Sequence, residues 1–150
     1  MRAVIQRARE ASVTTGGEIV GRIDRGMVIL LGVGREDNPD HAEMLAGKIA
    51  RLRIFPDEAE VANLSLIDTG FGALVISQFT LMADTRKGNR PGFSEAAPPE
   101  RAEKLYEAFV RMLGEQIGHD RVSTGRFGAM MDVAFVNEGP YTVILESRVP

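Results

Sequence analysis

The sequence predicts a single α/β domain over residues 1–150, a mainly antiparallel curved sheet or barrel with two packed helices. Three observations carry this reading. Neighbouring strand-like runs are joined by short turns, which favours antiparallel pairing. Two windows show apolar residues at helical spacing behind clear start signals. With 44% hydrophobic residues, the 150-residue chain can fill one core without a covalent or metal staple. No repeat, low-complexity tract or linker divides it. The predicted order is β-β-β-α-β-β-α-β-β-β.

Residues 1–7 form the opening strand. Residues 11–14 and 18–20 flank Thr15-Gly16-Gly17, a hairpin turn by composition. Residues 27–33 are continuously apolar, the pattern of a buried central strand. Asn38 is an N-cap, Pro39 takes the first helical position and Asp40 follows. Ala42, Leu45, Ala46, Ile49 and Leu52 then mark the buried stripe of the first helix. The extended Ile54-Phe55-Pro56 ends it near Arg53, because the residue before a proline avoids the helical region. Residues 57–63 read as a charged loop, residues 64–67 as a short strand, and Asp68-Thr69-Gly70 as a turn. Residues 73–81 are the second strong strand. Residues 82–99 are irregular and contain Gly88, Pro91, Gly92 and Pro98. A loop of that length is uncommon in a compact domain and points to function. Pro99 and Glu100 open the second helix, whose stripe is Ala102, Leu105, Phe109, Met112 and Leu113, and Gly118 closes it. Val122 and residues 129–136 and 141–146 complete a β-rich C-terminal part.

Composition excludes several chemistries. Cysteine is absent, which removes disulfides, thiolate zinc sites and a cysteine nucleophile. The two histidines, His41 and His119, are not spaced as metal ligands, so neither a metal nor another cofactor is expected. No apolar run approaches the length of a membrane span, and the N-terminus begins in a strand pattern without a signal core. A cytoplasmic protein without a membrane partner is the expectation. A net charge of −3 predicts no global attraction to nucleic acid, and none to DNA; any RNA contact needs a local patch.

Five segments stand out. Gly32-Val33-Gly34 imitates a dinucleotide fingerprint, but Asp37 occupies the third glycine's position and would repel a pyrophosphate, so it reads as a strand-to-helix connection. Ser77-Gln78-Phe79-Thr80 places hydroxyl and amide groups at a strand end beside the long loop: either a polar site or a solvated strand face. A serine triad there would need a histidine brought in by the fold. Arg86-Lys87-Gly88-Asn89-Arg90-Pro91 is a basic island, either a phosphate contact or a solvated loop. Gly125-Arg126-Phe127-Gly128-Ala129-Met130-Met131 offers an aromatic and a thioether for a flat base, or simply core packing. Asn137-Glu138-Gly139-Pro140-Tyr141-Thr142 lies between two strand patterns. It is a hairpin turn, or a rigid edge that turns main-chain carbonyls toward a ligand.

Together these segments, with the opening strand and Asn63-Leu64-Ser65-Leu66, resemble the D-aminoacyl-tRNA deacylase family in order and spacing over essentially the whole chain. The resemblance implies hydrolysis of the ester between a D-amino acid and the 3′-terminal adenosine of tRNA, with glycyl-tRNA as a further substrate. It implies a homodimer with active sites at the subunit interface. In that family the Gly-Pro bond is cis and enters the partner's pocket. Gly139 and Pro140 would then place carbonyls beside the substrate's α-carbon, accept hydrogen bonds from its ammonium, and exclude an L side chain. Amides around Phe79 and Thr80 would stabilise the oxyanion. Ser77 would position the ester or ribose, while Gln78 and Thr80 shape the pocket. Phe127 and Met131 match positions that hold the adenine. Arg7 would brace the Gly-Pro segment, and Arg86, Lys87 and Arg90 would meet tRNA phosphates. Tyr141, Gly92 and Met130 depart from the family pattern. Two other readings of the segments are an RNA-binding module without catalysis and a threonine-dependent esterase.

Overall fold

The computed structural model describes residues 1–147. Strands β1 (Arg2–Thr15), β2 (Glu18–Ile23) and β3 (Gly26–Gly32) come first, followed by helix α1 (Pro39–Ala50). The small pair β4 (Phe55–Pro56) and β5 (Ala62–Leu64) leads into the helical turn α2 (Leu66–Thr69). Then come β6 (Gly72–Ser77), α3 (Pro99–Ile117), β7 (Val122–Thr124) and β8 (Asp132–Glu146).

β1 organises the sheet. One edge pairs antiparallel with β8, from Arg2↔Glu146 to Thr14↔Asp132. The other edge pairs with β3 over its first half and with β2 over its second. Gly16 and Gly17, both at positive φ, make the two-residue turn between β1 and β2. That conformation suits glycine and matches the strand twist. β6 lies parallel to β3, and β7 parallel to β6. The sheet is therefore mixed: antiparallel where turns are short, parallel where α1 and α3 cross over. β2 curls back toward β7, where Ser123 Oγ donates to the Arg22 carbonyl at 2.7 Å. A Cβ at Gly21 would collide there with the Thr124 carbonyl oxygen, so only glycine lets the barrel come this close to closing.

The alternating faces of β3 and β6 serve two cores. Met27, Ile29, Leu31 and Val75 pack with Ile5 against Leu45 and Ile49 of α1 and Leu105, Phe109 and Leu113 of α3. Val28, Leu74 and Ile76 face the inside of the curled sheet with Ala8, Val13 and Ile23. Burial on both faces explains why residues 27–33 are apolar without alternation. Asn38 caps α1 as expected, its side chain accepting from the His41 N–H at 3.1 Å. The Gly32-Val33-Gly34 stretch is a plain strand-to-helix connection. Buried Asp37 ties it down, accepting from the Gly34 N–H at 2.6 Å and pairing with the Met1 ammonium at 2.5 Å.

Three local expectations change. The strand expected over residues 64–67 instead ends at Leu64, the last residue of β5: Ser65 caps α2, its Oγ accepting from the Asp68 N–H at 3.3 Å while Asp68 accepts from the Ser65 N–H at 2.8 Å. These local bonds outcompete the strand ladder. β6 stops at Ser77, and residues Phe79–Met82 form a 3-10 turn, so strand alternation does not govern Gln78, Phe79 and Thr80. Gly139-Pro140 is not a hairpin. β8 runs through it, because the segments on both sides pair with β1. A two-residue step along β1, Gln6 to Ala8, faces a five-residue step along β8, Thr142 back to Asn137. The surplus bulges out around Gly139 and Pro140. The long segment after the 3-10 turn is pinned by two isolated bridges, Asp84↔Gly92 and Gly34↔Ala96.

Candidate active site

The end of β6 delivers Ser77 to the wall of a cavity of about 730 Å³. The parallel ladder continues one step further, with the Gln78 N–H donating to the Leu31 carbonyl at 2.8 Å. The chain then winds into its 3-10 turn. The first amides of such a turn, here those of Phe79 and Thr80, have no acceptor within it. Gln78 Nε2 donates to Thr80 Oγ1. Ser77 and Gln78 are half-buried, while Phe79 and Thr80 are exposed.

The rest of the wall is largely apolar and aromatic. α3 contributes Ala102 and Tyr106, and the stretch between β7 and β8 contributes Phe127 and Met131. The Tyr106 and Phe127 rings pack tilted at 5.8 Å. Tyr106 is buried, and its hydroxyl donates to the Val75 carbonyl at 2.8 Å. Burial, aided by the charge of Glu107, pushes its phenol pKa upward, so it serves as wall rather than as acid or base. Phe79 and Phe93 both line the cavity and meet edge-on at 4.9 Å. Apolar walls with a few polar groups are the usual make-up of a small-molecule site.

Ser77, Gln78, Phe79, Phe127 and Met131 thus share one cavity, and Thr80 sits just outside its wall. Neither histidine lines it. His41 belongs to the cap of α1, its Nδ1 accepting from the Asn38 N–H at 3.3 Å, and His119 lies in the turn after α3. No imidazole in the cavity can therefore take a proton from Ser77. Among the described residues, no group of three or more His, Asp or Glu side chains is placed to hold a metal ion.

Gly139, Pro140 and Arg7 do not line this cavity. The Gly139-Pro140 bond is cis, and both residues are exposed. Behind them Arg7, 8% exposed, donates to three main-chain carbonyls: Ile54 at 2.6 Å, Glu138 at 3.0 Å and Gly139 at 3.1 Å. Its guanidinium lies 4.7 Å over the Tyr141 ring. Tyr141 therefore packs on Arg7, away from the cavity wall. Arg25 holds the Glu138 carboxylate at 2.9 Å.

The basic island also lies apart, since none of Arg86, Lys87 and Arg90 lines the cavity. Arg86 grips Asp84 with two hydrogen bonds, at 2.8 and 2.7 Å. Those bonds push the Asp84 carboxyl down to about 2 and the Arg86 guanidinium up. Among the lining residues that the sequence did not single out for the site are Tyr106, Phe93 and Arg35. Tyr106 had a signal, because it follows Ala102 by one helical turn and so shares its face. Phe93 and Arg35 had none; the Gly34↔Ala96 bridge gathers their loops.

The sequence profile of D-Tyr-tRNA(Tyr) deacylase matches residues 4–146. The chain is 57% identical over 147 residues to the D-aminoacyl-tRNA deacylase of Thermus aquaticus, covering 98% of this chain and 95% of that one. It is 54% identical over 147 residues to that of Brevibacillus brevis, covering 98% and 100%. Among solved structures, a c-Myc DNA unwinding element binding protein superposes with a TM-score of 0.94 at 41% identity, covering 99% of this chain and 100% of that one. A probable eukaryotic D-amino acid tRNA deacylase superposes with a TM-score of 0.84 at 18% identity over 97% and 98%, a likeness of fold. A profile match over nearly the whole length, with relatives above half identity, leaves one assignment: the chain belongs to the D-Tyr-tRNA(Tyr) deacylase family.

Proposed function

We propose that this protein hydrolyses the ester that links a D-amino acid to the 3′-terminal adenosine of tRNA, releasing free D-amino acid and tRNA. The observation that carries the reading is the single cavity joining Ser77, Gln78 and Phe79 to Phe127 and Met131. The ester lies at the Ser77–Phe79 end, and the adenine lies between Phe127 and Met131.

Water adds to the ester carbonyl, and the amides of Phe79 and Thr80 stabilise the oxyanion that forms. The bond to the ribose oxygen then breaks, and that oxygen leaves with a proton. An aminoacyl ester is already activated, so weak proton-transfer machinery suffices. The cavity has no imidazole, which favours the neighbouring ribose 2′-hydroxyl as the group that positions the water. Thr80 shapes the site and is not an obligatory nucleophile.

Chirality is read by backbone. Gly139 and Pro140 of a second copy enter the cavity beside the α-carbon, and their carbonyls accept from the substrate's ammonium. The Gly139 carbonyl keeps a second lone pair beyond the one used by Arg7. An L side chain would meet this backbone, whereas a D side chain or the hydrogen of a glycyl ester would not. The homodimer is supported by β8, a long outer strand that exposes Val136 and Ile144, at 48% and 64%, next to the bulge. Such edges are normally covered. The protein works in the cytoplasm on charged tRNA; among the described residues no helix is long and apolar enough to cross a membrane.

The test compares D-Tyr-tRNA with L-Tyr-tRNA at matched enzyme concentration. Rapid cleavage of the D ester alone is expected. Equal rates, or cleavage of neither, would sink the reading. A 2′-deoxy terminal adenosine should slow cleavage far more than Thr80→Ala does; the reverse order would move the chemistry onto the threonine.

A further inference from the structure

We infer that Arg35 holds the phosphodiester on the 5′ side of the terminal adenosine, the place in the active site where the tRNA strand leaves the cavity. The inference rests on the deacylase reading above and names the contact that separates a tRNA end from a free nucleoside ester.

Arg35 is rigid in its backbone and free at its head. Its N–H donates to the Glu95 carbonyl at 3.0 Å, and the preceding Gly34 is bridged to Ala96 and bonded to buried Asp37. Its exposed side chain lines the cavity and makes no hydrogen bond or ion pair among the described residues. Three other arginines are committed, while exposed Arg126, next to Phe127 in sequence, does not line the cavity. Arg86 is clamped by Asp84, Arg101 donates to the Asp37 carbonyl at 2.7 Å, and Arg7 is buried under the β8 bulge. Apart from Arg35, the described cavity lining contains no charged side chain.

The ligand supplies the complementary charge. With the ester at Ser77 and the base at Phe127, the 5′-oxygen of the ribose carries the chain out through the rim, and its phosphate is the first anion there. Arg35 also borders a smaller depression lined by Glu36, Asp37, Glu95 and Glu146. Met1 and Arg2 line it too, and they pair with Asp37 and Glu146; the carboxylates of Glu36 and Glu95 remain to disfavour a phosphate on that side and leave the cavity side as the approach. A guanidinium matches two phosphate oxygens with a planar pair of donors.

The test uses two minimal substrates, the D-tyrosyl ester of adenosine and that of adenosine 5′-monophosphate, beside D-Tyr-tRNA. Wild type should favour the phosphate-bearing esters. Arg35→Ala should raise KM for D-Tyr-tRNA about tenfold, equivalent to ~1.4 kcal/mol, at nearly constant kcat. It should leave the adenosine ester unchanged, and so erase the preference for phosphate. Arg35→Lys should restore part of it. The dependence of log KM on log salt should flatten by about 0.7, the value for one phosphate contact on a single strand. Arg111→Ala, which removes the same charge from a residue outside the cavity, controls for net charge. Equal losses on both minimal esters, or no change on any substrate, would overturn the assignment to Arg35 while leaving the deacylase reading intact. Failure of wild type to cleave any D-tyrosyl ester would overturn both.

Discussion

Replacing Arg7 with methionine tests how the Gly139-Pro140 segment is held. Methionine keeps much of the aliphatic volume and removes every donor. Three main-chain carbonyls lose a charged partner, those of Ile54, Glu138 and Gly139. The Ile54 bond is fully buried, and a buried hydrogen bond to a charged group is worth about 1.5–3 kcal/mol. The other two are part-buried and can regain water, so each contributes about 0.5–1.5 kcal/mol. Glu138 keeps Arg25 at 2.9 Å, which limits the cost of leaving its carboxylate without Arg7. The expected loss is about 3–5 kcal/mol, the range found when one partner of a buried charged network is removed. In a chain of this size that lowers Tm by roughly 10 °C or more. Urea unfolding followed by circular dichroism gives the stability, and the ratio of D-Tyr-tRNA to L-Tyr-tRNA cleavage gives the function. The ratio should fall even in enzyme that remains folded, because the bulge loses its fixed position. Arg7→Lys should recover less than half the stability, since one ammonium cannot serve three carbonyls with the geometry of a guanidinium. A loss below about 1 kcal/mol in Arg7→Met, with an unchanged D/L ratio, would refute the reasoning.

Two further predictions concern the frame around the site. Burial tends to raise the Asp37 carboxyl pKa, but hydrogen bonds from the Met1 ammonium and the Gly34 N–H, with the charges of that ammonium and His41, hold it below its ordinary value of 3.8. Its folded pKa is depressed, so its stabilisation is fully present above the unfolded value and disappears as pH falls through the folded one. Asp37→Asn should therefore be less stable than wild type at neutral pH, and the gap between the two urea midpoints should begin to narrow as pH falls below about 3.8; a gap that widens on acidification would contradict this. Tyr106→Phe removes the bond to the Val75 carbonyl, which keeps the Gly125 N–H at 3.3 Å as a second partner. It should cost about 1 kcal/mol by urea unfolding and leave kcat for D-Tyr-tRNA within about twofold, whereas a collapse of kcat would give the phenol a chemical role.

Local signals in the sequence were accurate at several places where the structure is decided by near neighbours. Gly16 and Gly17 mark the hairpin because the turn needs positive φ at both positions. Asn38 and Pro39 mark the start of α1 because the cap is built from residues three apart. The same logic misread residues 64–67, where Ser65 and Asp68 cap a helical turn that strand-forming neighbours conceal. It also extended β6 to residue 81, because an apolar run does not reveal where its ladder ends. The site was half legible. Ser77, Gln78 and Phe79 stand at a strand end, a place where polar groups attract attention, and Phe127 and Met131 lie in a glycine-rich stretch. The sequence sets Asp84 two residues before Arg86 and Glu36 and Asp37 directly after Arg35, but only the fold shows that Arg86 is clamped while the Arg35 side chain has no partner among the described residues.

By itself the sequence determined the α/β class, the main strands, the N-cap of α1 and the turn between β1 and β2. These follow from backbone preferences and periodicities that act over a few residues. It also carried the segments that place the chain in its family. Only the tertiary structure decided what the Gly139-Pro140 segment is. β1 pairs with β8 along the same length on which it pairs with β3 and β2, so both flanks of the segment are held in one strand and the surplus residues must bulge. Arg7, 132 positions away in the chain, then fixes the bulge from beneath. Contacts at that separation leave no mark on local pattern, because their free energy arises only once the sheet has brought the two strands together.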